Sequence, residues 1–483
     1  MAYPADTGAV RGAPPGAAGK AAAREAGQRA GVQKTVSRTI ALGLGAAFVV
    51  SIAAGSSTLL STGLLALLTA YLWATLAIPA ELTALLFFTA LLLTGLAPDQ
   101  VALAGFESKA VWLVFAGLVL SEAIGRHDMG HALFDRVLGR LTSYRGLIWL
   151  VAATGLMMAF LIPSAMGRVL LLAPLVRGLA DRLGLEADDP RRHGLFLATV
   201  LGAVVPAFTI ITSNVPNLVL MGAAEAIYDR TFSYFEYLLL NFPVLGLGAF
   251  LLIPTLVLRL FPGPAAIGLP DSHPAPWTRD QMKIGLLLAA TLALWTTDTL
   301  HGIASAWIGL AAALLCLLPG IGLLPPQSIG KLNFGPWFFA AGSIGLGGVV
   351  SHSGLGALLW GQVADGLPLA GLPEPAKYAV VQVTAMLMAV VTTLPAIPAV
   401  FTPLAASIAD SLGWPLDAAL LAQVPAFVIF AFPFQAPPVL VGLTLLGVPL
   451  RQAMRVMLWY CLIAALTLSP LHYLWGRLLG VFP

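Results

Sequence analysis

The chain has 483 residues, of which 59% are hydrophobic and 10% are charged, and its mean hydropathy is +0.90. A soluble domain carries about 25% charged residues, so this composition excludes a water-soluble globular protein and indicates that lipid surrounds most of the chain. The formal net charge of +3 is too small to indicate a nucleic-acid partner. Cys316 and Cys461 lie in apolar segments and predict neither a disulfide framework nor a metal site.

Residues 1–37 are rich in Ala, Gly, Pro and Arg and contain no apolar segment, which predicts a disordered tail. Basic residues outnumber acidic ones in this tail and at its junction with the first apolar segment. Because basic flanks stay on the cytoplasmic side of a membrane segment, the N-terminus is predicted to be cytoplasmic. The basic residues are Arg11, Lys20, Arg24, Arg29, Lys34 and Arg38.

From residue 38 onwards, closely spaced apolar segments predict an all-α polytopic membrane protein with about eleven transmembrane helices. Two further segments, 146–183 and 377–411, are too interrupted by Pro and polar residues to be ordinary spans. The Arg-rich loops all fall inside only if these segments are re-entrant hairpins, the first from the inner face and the second from the outer face. With the Ala- and Gly-rich composition, this topology predicts a bacterial inner-membrane protein with a periplasmic C-terminus. Segment 127–140 predicts an amphipathic helix on the membrane surface.

An internal repeat relates two parts of the chain. It predicts a first half at 38–262 with the inner hairpin, a cytoplasmic linker at 263–283, and a second half at 284–483 with the outer hairpin. Chance similarity between apolar helices is the alternative, but the matches keep one order and the topology gives the halves opposite orientations. Inverted repeats with broken helices are typical of secondary transporters. The matched pairs include Trp112 with Trp337, His127 with His352, Pro174 with Pro403 and Pro216 with Pro438.

Each half contains a hairpin turn followed by an interrupted helix, with turns at 162–168 and 392–398 and breaks at 212–217 and 432–438. Pro and small polar residues free backbone groups from the helix, and in a membrane such breaks occur next to protein or a water-filled cavity. Helix N-termini at a break bind anions, and unwound carbonyls bind cations. A structural kink is the alternative for any single Pro or Ser. The substrate-binding candidates are Ser164, Arg168, Asn214, Asn217, Thr393 and Gln435, and the ion-binding candidates are Ser164, Ser213, Asn214, Thr392 and Thr393.

Arg168 is the strongest of these candidates, because it lies within an apolar segment shortly after Pro163 and Ser164. An arginine inside a membrane is costly and is usually functional. Its planar guanidinium suits carboxylate, sulfate or phosphate oxygens. The alternative is an arginine that reaches the cytoplasmic face or pairs with a structural carboxylate.

At the hairpins and broken helices, the sequence resembles the divalent anion–sodium symporter (DASS) family of the ion transporter superfamily. The resemblance covers nearly the whole chain after the tail, and it rests more on the placement of the prolines than on sequence identity. The family's hairpin motif Ser-Asn-Thr corresponds here to 164–166 and 393–395. Its Thr-Pro-Pro-Asn-like segment corresponds to 214–217 and 436–439. The resemblance implies eleven spans, two opposed hairpins, inverted repeats, and a homodimer with an elevator-like transport domain that carries di- and tricarboxylates or sulfate.

The chain departs from the family at both hairpin tips. The two asparagines that help bind sodium and substrate in the family are absent, and only Ser164 and the Thr393 hydroxyl remain. Gln435 and Asn214 could supply oxygens instead, or Arg168 could occupy a cation site with a fixed positive charge. Na+ and H+ both stay open as coupling ions, and no other cofactor is expected.

We therefore expect a secondary active transporter of small organic or inorganic anions, dicarboxylate-like or sulfate-like, and not an enzyme. It would use elevator-type alternating access in the lipid bilayer as a homodimer, without nucleic acid. Two alternatives remain open. One is a transporter-like membrane sensor, and the other is an integral-membrane enzyme, which would need a convergent catalytic set that the scattered histidines do not provide. There is no Walker motif for direct use of ATP.

Overall fold

The computed structural model describes residues 17–75, 77–130, 132, 136, 143–265 and 276–483. Helices and their connecting loops make up this part of the chain, and no strand occurs in it. The all-α class is therefore confirmed. The predicted division at the linker 263–283 remains a prediction, since 266–275 lie outside the described residues.

The helices fall into two series that follow the halves of the repeat. In the first series they are α1 (Ala17–Ala53), α2 (Thr58–Thr75), α3 (Ala80–Thr94), α4 (Asp99–Glu107), α5 (Lys109–Arg126), α6 (Tyr144–Leu161), α7 (Ala165–Arg182), α8 (Pro190–Val204), α9 (Val215–Tyr228), α10 (Tyr234–Asn241) and α11 (Leu247–Leu260). In the second they are α12 (Arg279–Thr296), α13 (Asp298–His301), α14 (Ser305–Leu317), α15 (Gly335–His352), α16 (Leu355–Asp365), α17 (Glu374–Val391), α18 (Ala396–Phe401), α19 (Ala405–Leu412), α20 (Leu416–Leu421), α21 (Pro425–Val428), α22 (Pro437–Leu446) and α23 (Leu450–Leu478).

Polar side chains fix where the helices near the first hairpin begin. Ser143 accepts a hydrogen bond from the Gly146 amide at the start of α6, and Ser164 accepts one from Gly167 at the start of α7. Asp189 accepts a hydrogen bond from the Arg191 amide at the start of α8. Each cap satisfies a backbone N–H that has no partner within its helix. The guanidinium of Arg191 also bonds the Asp189 carboxylate, and this lowers the pKa of Asp189.

Seven helical segments of the described residues are long and apolar enough to cross a membrane. The bent pair α15–α16, with 71° between its parts, makes an eighth if it is one span. The predicted count of about eleven is therefore not confirmed. Breaks divide much of the remaining apolar sequence into helices of 10–17 residues, which are shorter than the roughly 20 residues that a bilayer requires.

Two surface predictions have different outcomes. Residues 17–37, which the composition placed in a disordered tail, are helical, because α1 runs without interruption from Ala17 into the first apolar segment. Alanine dominates this stretch and has the highest helix propensity. The predicted surface helix at 127–140 falls largely outside the described residues. Its repeat counterpart is α16, which turns away from α15 at Gly354, a glycine with φ of +76°.

The two hairpins pack in a crossed arrangement. The first hairpin consists of α6 and α7, joined at 162–164, and the second consists of α17 and α18, joined at 392–395. The second part of each broken helix packs on the hairpin of the opposite half: α9 packs on α18, and α22 packs on α7. This exchange connects the two halves through their broken helices and hairpins.

Small residues let α6 and α8 approach closely. A Cβ atom placed on Gly155 would lie 2.6 Å from the Ala203 nitrogen, and one placed on Gly202 would lie 2.7 Å from the Ala152 Cα. Contacts this short are forbidden, so both positions require glycine. The crossing fixes the end of α8 beside the first hairpin.

We expect Gly155→Val to destabilise the protein, because the added atoms must push α8 away from α6 at a cost of about 1–3 kcal/mol or more. The thermal midpoint of the detergent-purified protein measures this loss. Gly178→Val is the matched control, since a Cβ atom at Gly178 on α7 meets nothing within 4 Å. Equal midpoints for the two variants would contradict the close crossing.

Candidate functional site

The break in the first broken helix lies deep within protein. Helix α8 ends at Val204, a 3-10 turn covers Pro206–Thr209, and α9 begins at Val215. Every residue from 205 to 214 is buried. Non-helical backbone at membrane depth is tolerated only where protein or a cavity surrounds it. The surroundings of this break meet that requirement.

Arg168 is fully buried, and its guanidinium connects the first hairpin to this break. Its Nε donates to the Ala203 carbonyl at 2.9 Å, and its Nη1 donates to the Ile162 carbonyl at 2.6 Å and the Ser213 carbonyl at 3.1 Å. Its Nη2 donates to Asn214 Oδ1 at 3.2 Å. Four of the five N–H donors of the guanidinium are thus engaged within the protein.

The positive charge of Arg168 has no acidic partner among the described residues. The four oxygens around it are three backbone carbonyls and one amide. These groups orient their negative ends toward the guanidinium, but they do not cancel its charge. Neither alternative from the sequence, an arginine at the cytoplasmic face or one paired with a carboxylate, describes this geometry. The nearby space is therefore electropositive.

Three buried polar atoms at this break have no hydrogen-bond partner. They are Thr212 Oγ1, Asn214 Nδ2 and Asn217 Oδ1, on side chains that are at most 3% exposed. Leaving a buried donor or acceptor unpaired costs about 1–3 kcal/mol, so such atoms at a break indicate a ligand or ordered water. Among the sequence-predicted candidates, Asn214 and Asn217 are the ones with free polar atoms. Thr212 was missed, because only the fold shows that its hydroxyl lacks a partner.

The other candidates of the first half have local roles. Ser213 donates its hydroxyl proton to the Ala159 carbonyl, which attaches the break to α6. Ser164 caps α7, and its carbonyl accepts the Arg168 amide at 3.0 Å. The structure thus brings Ser164, Arg168, Ser213 and Asn214 into one group.

The second half forms a separate group around its own break. The Leu394 amide at the second hairpin turn donates to the Gln435 carbonyl at 2.8 Å. The Gln435 side-chain oxygen accepts the amides of Ala431 and Phe432 at 3.0 and 2.8 Å. Thr392 donates to the Met388 carbonyl at 2.9 Å, and Thr393 is half-buried. The Gln435 oxygen therefore holds the break instead of pointing to a ligand.

The two breaks lie side by side. The rings of Phe208, in the first break, and Phe430, in the second, form an edge-to-face contact with centroids 6.2 Å apart. A cavity of about 780 Å³ reaches Ile211 in the first break from the region between α5, α9 and α10. An ion pair of 2.7 Å between Lys109 and Glu225 lines this cavity and joins α5 to α9. The sequence did not predict the pair, because its members are far apart in the chain.

We expect Arg168→Met to reduce thermal stability, since four buried oxygens lose their donor and each orphaned acceptor costs about 1–3 kcal/mol. The midpoint of thermal unfolding in detergent measures the effect. Arg182→Met is the control on the same helix, because Arg182 is exposed and makes one weak hydrogen bond of 3.4 Å to Gly178. A midpoint for Arg168→Met as high as that of the control would contradict the bridging role.

Comparison with known proteins shows the family of the chain. The citrate transporter family, CitMHS, matches residues 65–428. The chain is 24% identical to an L-tartrate/succinate antiporter of Shigella dysenteriae, over 55% of this chain and 58% of the relative. It is 25% identical to the chloroplastic dicarboxylate transporter 2.2 of Arabidopsis thaliana, over 64% and 59% of the two chains. The chain thus spans less than two thirds of the length of these relatives.

A solved structure shares the fold. The YdaH transporter of Alcanivorax borkumensis superimposes with a TM-score of 0.52 and 19% identity, over 77% of this chain and 86% of that one. At this identity the likeness concerns the fold alone. The family match covers well over half of the chain, from α2 through α21. The chain therefore belongs to the citrate transporter family, CitMHS.

Proposed function

We propose that the protein is a secondary transporter that carries a small carboxylate anion across the inner membrane of a bacterium. The observation that carries the proposal is the first break, where Arg168 has no acidic partner and Thr212, Asn214 and Asn217 keep free polar atoms. A carboxylate would accept from the Asn214 amide and offset the charge. The names of the tartrate/succinate and dicarboxylate relatives favour carboxylate over sulfate.

Transport would follow an elevator-type mechanism in a homodimer. The hairpins and broken helices pack on one another, as α8 does on α6 and α7, whereas α5 packs on α14 and α4 packs on α15. The hairpins and broken helices would move as one body against the helix pairs α5–α14 and α4–α15. The Lys109–Glu225 pair would be one contact across that boundary. The N-terminus would be cytoplasmic and the C-terminus periplasmic.

Sodium does not fit beside Arg168. A sodium ion needs several oxygen ligands, and the four oxygens around Arg168 already accept from the guanidinium. Two unit charges about 4 Å apart repel by about 4 kcal/mol at an effective dielectric constant of 20. We therefore propose that Arg168 supplies a permanent positive charge in the first half. No sodium ion would bind at this break, and transport would not require sodium there. Anion exchange or proton coupling would drive it.

Uptake into liposomes by the purified protein tests the function. Labelled succinate, tartrate, citrate and sulfate are supplied with a sodium gradient, with a proton gradient, or with internal anion alone. We expect uptake of a carboxylate that needs a proton gradient or internal anion and ignores sodium. Protein-free liposomes are the control. Uptake that requires sodium would contradict the coupling, and uptake of sulfate alone would contradict the carboxylate assignment.

A second measurement tests whether Arg168 stands in for a cation. We expect the thermal midpoint of the wild type to be the same in sodium chloride and choline chloride. Arg168→Ser leaves the four oxygens without a cation, so sodium should raise its midpoint in proportion to ligand binding. Arg182→Ser is the matched control and should not respond. If sodium shifted the thermal midpoint equally in all three proteins, the proposal that Arg168 takes the place of a bound cation would be refuted.

A further inference from the structure

We propose that an open groove along α23 binds an anionic phospholipid, with the lipid phosphate at Arg451 and Arg455 and the acyl chains along the leucines that follow. The groove lies on a face of α23 that the rest of the described chain leaves open. The lipid would be a second ligand of the protein, separate from the transported anion.

The two faces of α23 have different surroundings. One face is buried and packs on α11 and on the π-turn Phe242–Gly246. The other face forms the groove, which has a volume of about 770 Å³ and is lined by residues of α23. The lining includes Arg451, Arg455, Leu458, Trp459 and Leu462. Their spacing of three and four residues places them on one continuous stripe along the helix.

The groove is basic at one end. Arg451 and Arg455 are exposed and have no acidic partner in the part of the chain that the structure describes. Like charges one helical turn apart repel each other, so an anion between them would relieve the repulsion. Guanidinium groups bind phosphate through paired, charge-assisted hydrogen bonds. In the predicted topology this end faces the cytoplasm, where anionic lipids attract basic residues beside a membrane helix.

The rest of the groove has the length and the chemistry of an acyl chain. Leu458 and Leu462 are 47% and 51% exposed. They lie about 10 Å and about 16 Å beyond Arg451 along the helix axis, at about 1.5 Å per residue. Half of a bilayer's hydrocarbon core is about 15 Å thick, so the groove extends through one leaflet. Trp459 lies one turn beyond Arg455, near the headgroup region that tryptophan prefers.

A phospholipid matches both parts of the groove. A soluble phosphate would use the two arginines and gain nothing from the leucines. A neutral lipid would cover the leucines and leave the charges of the two arginines uncompensated. An anionic phospholipid carries its phosphate and its chains in the same order as the groove presents arginine and leucine.

Tyr460 connects the groove to the second break. Its side chain lies on the buried face of α23, next to Trp459 in the chain, and its hydroxyl donates to the Val428 carbonyl at 3.1 Å. Val428 is the last residue of α21, just before the second break. A lipid held on the outer face would therefore restrain the part of α23 that holds this break. Because it binds the folded protein, it would also raise the thermal midpoint.

Competition binding to the detergent-purified full chain tests the groove, with fluorescent phosphatidylglycerol as the probe. Unlabelled phosphatidylglycerol should displace the probe more strongly than phosphatidylcholine with the same acyl chains. Arg451→Gln and Arg455→Gln should each weaken phosphatidylglycerol binding about fivefold, and the double variant about 30-fold, because basic residues beside an anionic headgroup contribute by about this amount. Phosphatidylglycerol should raise the thermal midpoint of the wild type and not that of the double variant.

The matched control is the double variant Arg182→Gln/Arg279→Gln. It removes the same charge from two exposed arginines on α7 and α12, which the predicted topology also places at the cytoplasmic face. This control should bind phosphatidylglycerol as the wild type does. An equal loss of binding in the two double variants would show a general effect of net charge and would overturn the groove.

Three further results would overturn the proposal. Equal affinity for the two lipids, or unchanged affinity after loss of both groove arginines, would exclude a headgroup site there. Displacement by glycerol phosphate as strong as by phosphatidylglycerol would show a site for soluble phosphates. A changed oligomeric state of the groove variant with unchanged lipid binding would show that a second copy of the chain covers this face. These measurements use no transported anion, so they decide the lipid site independently of the transport function.

Discussion

The constraint that the rest of the structure depends on is the satisfaction of non-helical backbone inside a membrane. The chain breaks its helices at the centre of each half, and every freed carbonyl there needs a donor that lipid cannot supply. In the first half, Arg168 provides it by bonding the carbonyls of Ile162, Ala203 and Ser213 at once. The hairpin turn, the end of α8 and the break are thereby held as one unit. This arrangement leaves the buried guanidinium of Arg168 without an acidic partner in the described part of the chain.

The second half meets the same constraint without a charge. Gln435 uses its side-chain oxygen for two amides and its backbone carbonyl for Leu394 at the hairpin turn. The halves thus share their order of helices and their crossed packing, yet the electrostatic field at the two breaks differs. Two identical neutral breaks would offer an anion only helix N-termini or a bound cation. Here a side chain already supplies a positive charge, which connects the packing of the first half to the proposed coupling.

Much of the site could be predicted from particular residues. Pro163 lies in the first hairpin turn, and Pro216 and Pro438 lie in the first turns of α9 and α22, directly after the two breaks. The importance of Arg168 followed from its cost within an apolar segment. Its bonding could not be predicted, because its partners are mostly backbone carbonyls, which every residue has. The count of about eleven spans is not confirmed for a related reason. Hydropathy detects apolar residues, but it does not show where a helix break leaves a segment too short to cross a membrane.

The sequence by itself determined that the chain is an α-helical membrane protein with hairpin turns and broken helices in repeated order. Those features are local, since they depend on hydrophobicity and on the residues that interrupt a helix. Only the tertiary structure decided which polar atoms remain free. The spare atoms of Thr212, Asn214 and Asn217, the pairing of Lys109 with Glu225, and the open groove along α23 all depend on what other segments bring to the same place. Hydrogen bonding and burial are properties of neighbours in space, and the linear sequence does not state them.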